Sequence, residues 1–291
     1  MNIVRGFFSG LFSFILVIVL VALGLIITIN HTILNPGFVI SELDKLDVQS
    51  LIMNEVRHQL PVEDPYITEV IDNVAIELEP WLKEQTISVI YAGYAYLKGD
   101  AELSLVIPLE EVRSTVKDHV ARMMRESPPP ELEGASEAEI EFFLTLLYAG
   151  IDNQVPEQIE INEEFLGSEI AEQLQTAKEI IAYIELGYKV LIGLAAVLVL
   201  LIALIQWWRA KPIARFTGIA FAIAGVVSLI AIFTARFIIL QIIPTDIPAE
   251  IMSILPGLIS DSSYPLLIYS IAILATGIGL IVLSLKLRLH D

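Results

Sequence analysis

The sequence predicts an α-helical membrane protein, with four transmembrane helices and a mostly α-helical extracytoplasmic domain inserted between helices 1 and 2. Three observations predict this fold class: four long apolar stretches, a long acidic segment after the first of them, and apolar residues at helical spacing within that segment. A helix needs about 20 apolar residues to cross a hydrocarbon core of about 30 Å. Hydrophobic residues make up 55% of the 291 residues, which is above the share in soluble domains.

The four predicted spans cover residues 7–29, 183–208, 216–238 and 265–285. The first apolar run is longer than the core of a signal peptide, and no small-residue cleavage site follows it. We therefore interpret it as an uncleaved signal anchor. The remaining segments are a short N-terminus, the domain, two links and a short C-terminus: 1–6, 30–182, 209–215, 239–264 and 286–291.

Basic residues near the span ends predict the orientation in the cell membrane. These residues are Arg5, Arg209, Lys211, Arg215, Lys286 and Arg288. Short segments rich in Lys and Arg stay in the cytoplasm, so both termini are expected there and residues 30–182 are expected to be extracytoplasmic. Amphipathic rings and long cationic side chains favour the headgroup level. The predicted membrane-interface anchors are Trp207, Trp208, Arg209, Lys211 and Tyr264.

The acidic charge of the chain belongs to the segment 30–182. It contains 30 Asp and Glu against 9 Lys and Arg, a net charge of −21, whereas the whole chain has −18. This charge argues against binding to nucleic acid. It either keeps the domain soluble or attracts a basic partner. The chain has no cysteine, so the domain must fold without disulfides, which favours a prokaryotic cell envelope.

Helical spacing and alternation predict the elements of the domain. One amphipathic helix is expected over 47–60, and another over 109–125. A third begins at Ser136, with Glu139 in the register of a capping box. Its expected apolar face is Ile140, Phe143, Leu144, Leu147 and Tyr148. Residues 102–107 and 158–161 alternate like short strands, which leaves room for one small two-stranded β element.

The longest predicted helix runs from the domain into the second span. No proline occurs between Glu163 and Trp208, and Asn162 is suited to cap the start. We expect one continuous helix that joins the domain rigidly to the membrane, and the alternative is a break near Gly187. In the link 239–264, residues 248–255 are predicted to form a separate short amphipathic helix.

The predicted spans carry no ionisable group in their central portions, which argues against a channel or pump. Glu185 and Lys189 lie four residues apart at an outer end and are expected to pair with each other. Small residues recur in the third and fourth spans, where they are predicted to pack the helices closely. They are Gly218, Ala222, Gly225, Gly277 and Gly279.

The sequence contains no catalytic, nucleotide-binding or metal-binding motif with the required spacing. His58 and His119 are interpreted as solvated surface residues. Asp152 and Glu157 lack the spacing of a calcium loop. We therefore expect no catalytic residue, no cofactor and no bound metal.

The expected function is that of a non-enzymatic, membrane-anchored binding or scaffold protein of the cell envelope. The expected partners are the lipid bilayer and another envelope or membrane protein, and a homo-oligomer is left open. The alternative is a transport accessory or small permease that uses the C-terminal three-helix membrane part.

Overall fold

The computed structural model describes residues 2–45, 65–126, 128, 132, 134–242 and 249–287, and most of these are helical. Four helices are long and apolar enough to cross a membrane: Val4–His31, Glu163–Ile205, Ala210–Ile239 and Leu255–Lys286. The predicted helical character and the four apolar helices are thus confirmed, and they indicate a multi-pass membrane protein. The predicted helix over 47–60 and His58 lie outside the described residues.

The chain forms two compact units. The membrane unit comprises Met1–Leu46 and Glu179–Asp291, and the acidic unit comprises Asp47–Lys178. In chain order the described elements are α1 (Asn2–His31), α2 (Pro36–Leu43), α3 (Pro65–Glu77), α4 (Glu79–Lys98), β1 (Ser104–Pro108), α5 (Glu110–Glu126), α6 (Glu137–Gln154), β2 (Gln158–Asn162), α7 (Glu163–Ile205), α8 (Ala210–Ile242) and α9 (Ala249–Lys286).

The core of the membrane unit forms where α1, α7, α8 and α9 meet. Its buried apolar residues are Leu16, Val19, Leu20, Leu198, Ile202, Ala220, Ala224 and Ile273. Hydroxyl groups of two side chains form hydrogen bonds between helices in this region. The Tyr269 hydroxyl donates to the Leu20 carbonyl at 2.7 Å, and Ser13 Oγ donates to the Phe216 carbonyl at 3.3 Å. These bonds satisfy polar atoms where water is absent.

Glycines bring the backbones of α8 and α9 into direct contact. A Cβ atom on Gly277 would overlap the backbone nitrogen of Ala222 and lie 2.7 Å from the Gly218 carbonyl oxygen. A Cβ on Gly225 would lie 2.9 Å from the Ser270 carbonyl oxygen. Gly279 does not take part in this contact, although it was grouped with these residues from the sequence. It has open space around its Cβ position, because two residues turn a helix by about 200°.

The predicted separate helix at 248–255 is instead the beginning of α9, which continues through Pro256 and Pro265. Each proline removes one backbone donor, and a helix apolar enough to cross a membrane tolerates that loss. Serines between the two prolines add side-chain bonds to carbonyls of the same helix. Ser262 Oγ donates to the Leu258 carbonyl at 2.6 Å, and Ser263 Oγ donates to the Ile259 carbonyl at 2.8 Å.

Side chains of neighbouring helices also bind the polar stretch of α9. Arg236 Nε of α8 donates to Ser263 Oγ at 2.8 Å. Lys45, just after α2, donates to the Asp261 carboxylate at 2.5 Å. The polar residues of this stretch therefore join three helices, which is why they do not form a solvated loop.

In the acidic unit, the predicted strand pair is present. β1 and β2 are antiparallel, with Ser104 opposite Asn162 and Pro108 opposite Gln158. The Leu109 N–H donates to the Glu157 carbonyl at 2.8 Å and continues the ladder by one bond. Half-buried residues alternate with exposed ones along β1 and along most of β2, as the sequence pattern indicates. α5 packs against α3 on one side and α6 on the other.

α7 differs from the uninterrupted helix that was predicted over 163–208. Asn162 caps its start as expected, because the Phe165 N–H donates to Asn162 Oδ1 at 2.8 Å. The irregular residue is Gly167, with φ 79° and ψ 163°, whereas Gly187 is helical. That combination of angles is open essentially to glycine alone. A lone glycine leaves the apolar periodicity unchanged, so the pattern could not reveal it.

α7 ends at Ile205 rather than at Trp208, in a hydrogen-bonded turn. The Trp208 N–H donates to the Ala203 carbonyl and the Trp207 N–H to the Leu204 carbonyl, both at 3.0 Å. This is the Schellman arrangement, in which glycine usually occupies the left-handed position. Here Trp207 has φ 53° and Trp208 has φ 58°, and left-handed backbone costs a residue with a Cβ roughly 1–2 kcal/mol.

We expect Gly167→Ala to loosen the strand pair, because alanine would force residue 167 toward right-handed helix and shift the adjacent end of β2. Hydrogen exchange of the full chain, followed by mass spectrometry, should show faster exchange over β1 and β2. Gly150→Ala is the matched control, since Gly150 is helical and has open space around its Cβ position. That change should leave exchange unaltered or slower. Equal effects of the two substitutions would contradict the role of Gly167.

Candidate functional site

Several described acidic residues of the acidic unit take part in ion pairs and caps. Among the described residues, no group of three or more His, Cys, Asp or Glu side chains is placed to hold a metal ion. The Asp152 carboxylate accepts from Arg113 at 2.5 Å and from Lys117 at 2.6 Å. The hydrogen bonds from Lys117 and Arg113 hold the pKa of Asp152 below its ordinary value.

His119 is buried, which corrects its interpretation as a solvated residue. Its Nε2 lies 2.7 Å from the Glu77 carboxylate oxygen, and only 8% of the residue is exposed. The cause is the packing of α5 against α3, which covers the face of α5 that holds this side chain. The contact consists of His119 and Glu77 alone. We therefore assign this pair a structural role.

The most unusual surface of the acidic unit is an apolar face on α6. Phe142 is 68% exposed, Leu146 is 56% exposed and Phe143 is 38% exposed. These side chains lie on one side of the helix because residues three and four apart share a face. Together with Leu132, Gly134, Ala135, Ala138 and Glu139, the two phenylalanines line an open groove of about 590 Å³. We call Phe142, Phe143 and Leu146 the apolar face.

The opposite side of α6 already packs inside the acidic unit. Leu144 is buried, and the Tyr148 hydroxyl donates to the Lys117 carbonyl of α5 at 3.5 Å. The Lys117 ammonium group also lies 5.7 Å from the centre of the Tyr148 ring. The apolar face is therefore not needed for the packing of α6 on α5. Large exposed apolar side chains that occur together often mark an interaction site.

Carboxylates lie near the apolar face. The first turns of α6 contain Glu137, Glu139 and Glu141, and Glu139 lines the groove with the two phenylalanines. The fourth charged residue of α6 is Asp152, which pairs with Arg113 and Lys117 of α5. Glu139 accepts from the Ser136 N–H at 2.8 Å and from Ser136 Oγ at 2.7 Å, which confirms the predicted cap. The bonds from the Ser136 N–H and hydroxyl lower the pKa of Glu139. Arg125 supplies a cation in a neighbouring groove of about 280 Å³.

The sequence interpretation missed Phe142 and Leu146. It placed Phe143 with the buried Leu144 on the packed face, whereas Phe143 is 38% exposed and lies on the side of Phe142 and Leu146. The signal was present in the sequence, because six of the seven residues from Phe142 to Tyr148 are apolar. The packed side of an amphipathic helix holds only three to four apolar residues in two turns, so some of these six must lie on another side.

Four of the five predicted interface anchors lie at exposed positions of the membrane unit. Trp207 and Trp208 are each 69% exposed, and the Arg5 guanidinium carbon lies 5.2 Å from the centre of a Trp207 ring. Arg209 is exposed in the turn between α7 and α8, Lys211 is half-buried at the start of α8, and Tyr264 is exposed within α9. Arg5 and Trp207 thus bring together two residue types that favour a membrane interface.

Comparison of the chain with protein-family models, with curated proteins and with solved structures finds no match. The function is therefore inferred from the chemistry of the chain itself. Two features matter most for it: the apolar face with its nearby carboxylates, and the four apolar helices.

Proposed function

We propose that the protein is a non-enzymatic, membrane-anchored binding or scaffold protein of the cell envelope. Its apolar face docks a basic, amphipathic segment of another envelope or membrane protein. The observation that carries this proposal is the exposure of Phe142 and Leu146 on a helix whose other side is packed. An amphipathic helix that lies in a groove uses apolar anchors of this spacing.

The charge of the domain supports a basic partner. Residues 30–182 carry a net charge of −21, and α6 itself has only acidic charges. Such a field speeds the approach of a cationic segment and disfavours an acidic one. Two copies of this surface would repel each other, so the proposed occupant is a different protein.

The proposed topology places residues 30–182 outside the cytoplasm and both termini inside, with residues 7–29 as a signal anchor. The bias of Lys and Arg toward the segments 1–6, 209–215 and 286–291 supports this orientation. In this arrangement the four apolar helices anchor the protein and the acidic unit faces the envelope.

The alternative function is a transport accessory or small permease. Thr217 Oγ1 and Ser228 Oγ favour it, because both atoms are buried in α8 without a hydrogen-bond partner among the described residues. The close backbone contact at Gly218, Gly225 and Gly277 supports anchoring instead, since it leaves no room for a path there. Solute flux into liposomes that contain the full chain distinguishes the two functions.

Photo-crosslinking tests the proposed docking. We expect a benzophenone side chain at position 142 of the full chain, in native membranes, to give a discrete protein adduct. The matched control carries the same group at Phe165, which is 62% exposed on α7. Leu146→Ser should abolish the adduct at position 142, and raised salt should weaken it because the charges are exposed.

The adduct should then be mapped by mass spectrometry to a basic amphipathic segment. Equal adducts from positions 142 and 165 would contradict the proposal, because they would indicate random collision. Adducts to lipid alone would also contradict it. Circular dichroism of the Leu146→Ser protein should match that of the unchanged protein, since the side chain supports no packing of the unit.

A further inference from the structure

A small cavity lies between the C-terminal end of α1 and the middle of α7, entirely within the membrane unit. Its volume is about 260 Å³, and it is lined by Ile27, Asn30, His31, Glu185, Tyr188 and Lys189. Five of these six side chains are polar or charged. Their position is notable because both helices are otherwise apolar enough to cross a membrane.

The two charged side chains of this cavity, Glu185 and Lys189, do not form an ion pair with each other. Glu185 and Lys189 were expected to pair, but among the described residues no ion pair within 4.0 Å joins them. Both line the cavity instead. Residues four apart on a helix have Cβ atoms about 5–6 Å apart, so one ligand can contact an anion and a cation at once.

The lining offers two kinds of polar group. Glu185 lines the cavity together with the last residues of α1, Asn30 and His31, and the C-terminal end of a helix carries partial negative charge. These groups suit an ammonium group. Lys189 provides a positive charge, and Tyr188 provides a hydroxyl donor. These two suit an anionic oxygen group, since charge-assisted hydrogen bonds are the strongest of their kind.

The outer surface next to the cavity is apolar. Leu186 is 57% exposed and Val190 is 56% exposed, and they lie on α7 within one turn of the charged pair. Ile27 provides an apolar wall inside the cavity. A ligand with a zwitterionic head and hydrocarbon chains would match both the cavity and this surface. Its head would contact the charged side chains, and its chains would contact Leu186 and Val190.

We propose that this cavity binds a headgroup that carries a primary amine and a phosphate, as in an ethanolamine phospholipid. Glu185 recognises the ammonium group and Lys189 recognises the phosphate. A phosphocholine head lacks N–H donors for Glu185, and a phosphoglycerol head lacks the cation. The proposal is independent of the docking at the apolar face, because the two sites share no residue.

Native mass spectrometry of the full chain tests this site. The detergent-solubilised protein is titrated with ethanolamine, choline or glycerol phospholipids of identical chains. We expect the ethanolamine lipid to bind roughly tenfold more tightly than the others, as the loss of a hydrogen bond to a charged group predicts. Equal binding of the three lipids would overturn the assignment of the ligand as a lipid, and the proposal would then depend on the soluble headgroup alone.

Substitutions give the site a distinct signature. Glu185→Gln should remove the preference for ethanolamine over glycerol lipid, while phosphate binding through Lys189 is kept. Lys189→Gln should weaken both lipids. Glu179→Gln, at an exposed position of α7 outside the cavity, is the matched control and should change neither. An unchanged lipid preference in both cavity variants would also overturn the proposal.

Soluble phosphoethanolamine distinguishes the two sources of this headgroup chemistry. If it displaces the bound lipid and Lys189→Gln blocks its binding, the headgroup chemistry is supported. If it binds with the same dependence on Glu185 while no lipid preference exists, the chemistry is supported and the ligand is a soluble zwitterion. If neither form binds in a way that depends on Glu185 or Lys189, the site is refuted.

Discussion

Replacement of Gly277 by alanine or valine should sharply destabilise the membrane unit. A Cβ atom at this position meets backbone atoms of Ala222 and Gly218 rather than a side chain that can rotate away. Alanine should therefore already produce most of the loss. Overpacking typically costs about 1–3 kcal/mol, and we expect the upper end of that range because two rigid helices must separate. Thermal unfolding of the detergent-solubilised full chain measures the effect.

Gly279→Val is the matched control for this experiment. It lies two residues further along α9, where its Cβ position is open, so its unfolding temperature should stay near that of the unchanged protein. Equal losses from the two substitutions would show that the glycines act through helix flexibility rather than through the contact between α8 and α9.

The second large effect concerns the orientation of the chain in the membrane. Each reporter should be either fully active or inactive, according to the side on which it lies. A reporter that is active only in the cytoplasm should work when fused after Asp291 or inserted near Ala210. A reporter that is active only outside the cytoplasm should work near Pro129 and fail at the other two sites. The reason is the clustering of Lys and Arg in the segments beside Asp291 and Ala210. The opposite pattern at either inner site would refute the proposed orientation.

The sequence was sufficient for features that repeat along the chain. The apolar helices follow from runs of about 20 residues, and the strand pair follows from alternation in two short segments. The cap formed by Ser136 and Glu139 follows from a spacing of three. Each of these signals is local, so no knowledge of the tertiary structure was needed.

Features that depend on a single residue or on a partner helix were not predictable in this way. Gly167 changes the backbone without changing the apolar pattern. Pro256 resembles a helix end, because proline breaks most helices that are exposed to water. A helix that crosses a membrane tolerates proline more readily. His119 is buried by α3, and the cavity with Glu185 and Lys189 exists only because α1 lies beside α7. The contacts that decide these cases join distant parts of the chain.

The bond from the Leu109 N–H to the Glu157 carbonyl has a consequence for the evolution of the protein. The chain leaves the two-stranded sheet at residue 109 and returns to it at residue 157, one hydrogen bond away. The intervening segment is thus a cassette whose ends meet, and it carries the apolar face. Since insertions are tolerated best at exposed loop tips, recognition can diversify by change within 109–157, as long as α5 keeps its packing against α3. The sheet and the membrane helices would stay unchanged while the partner changes.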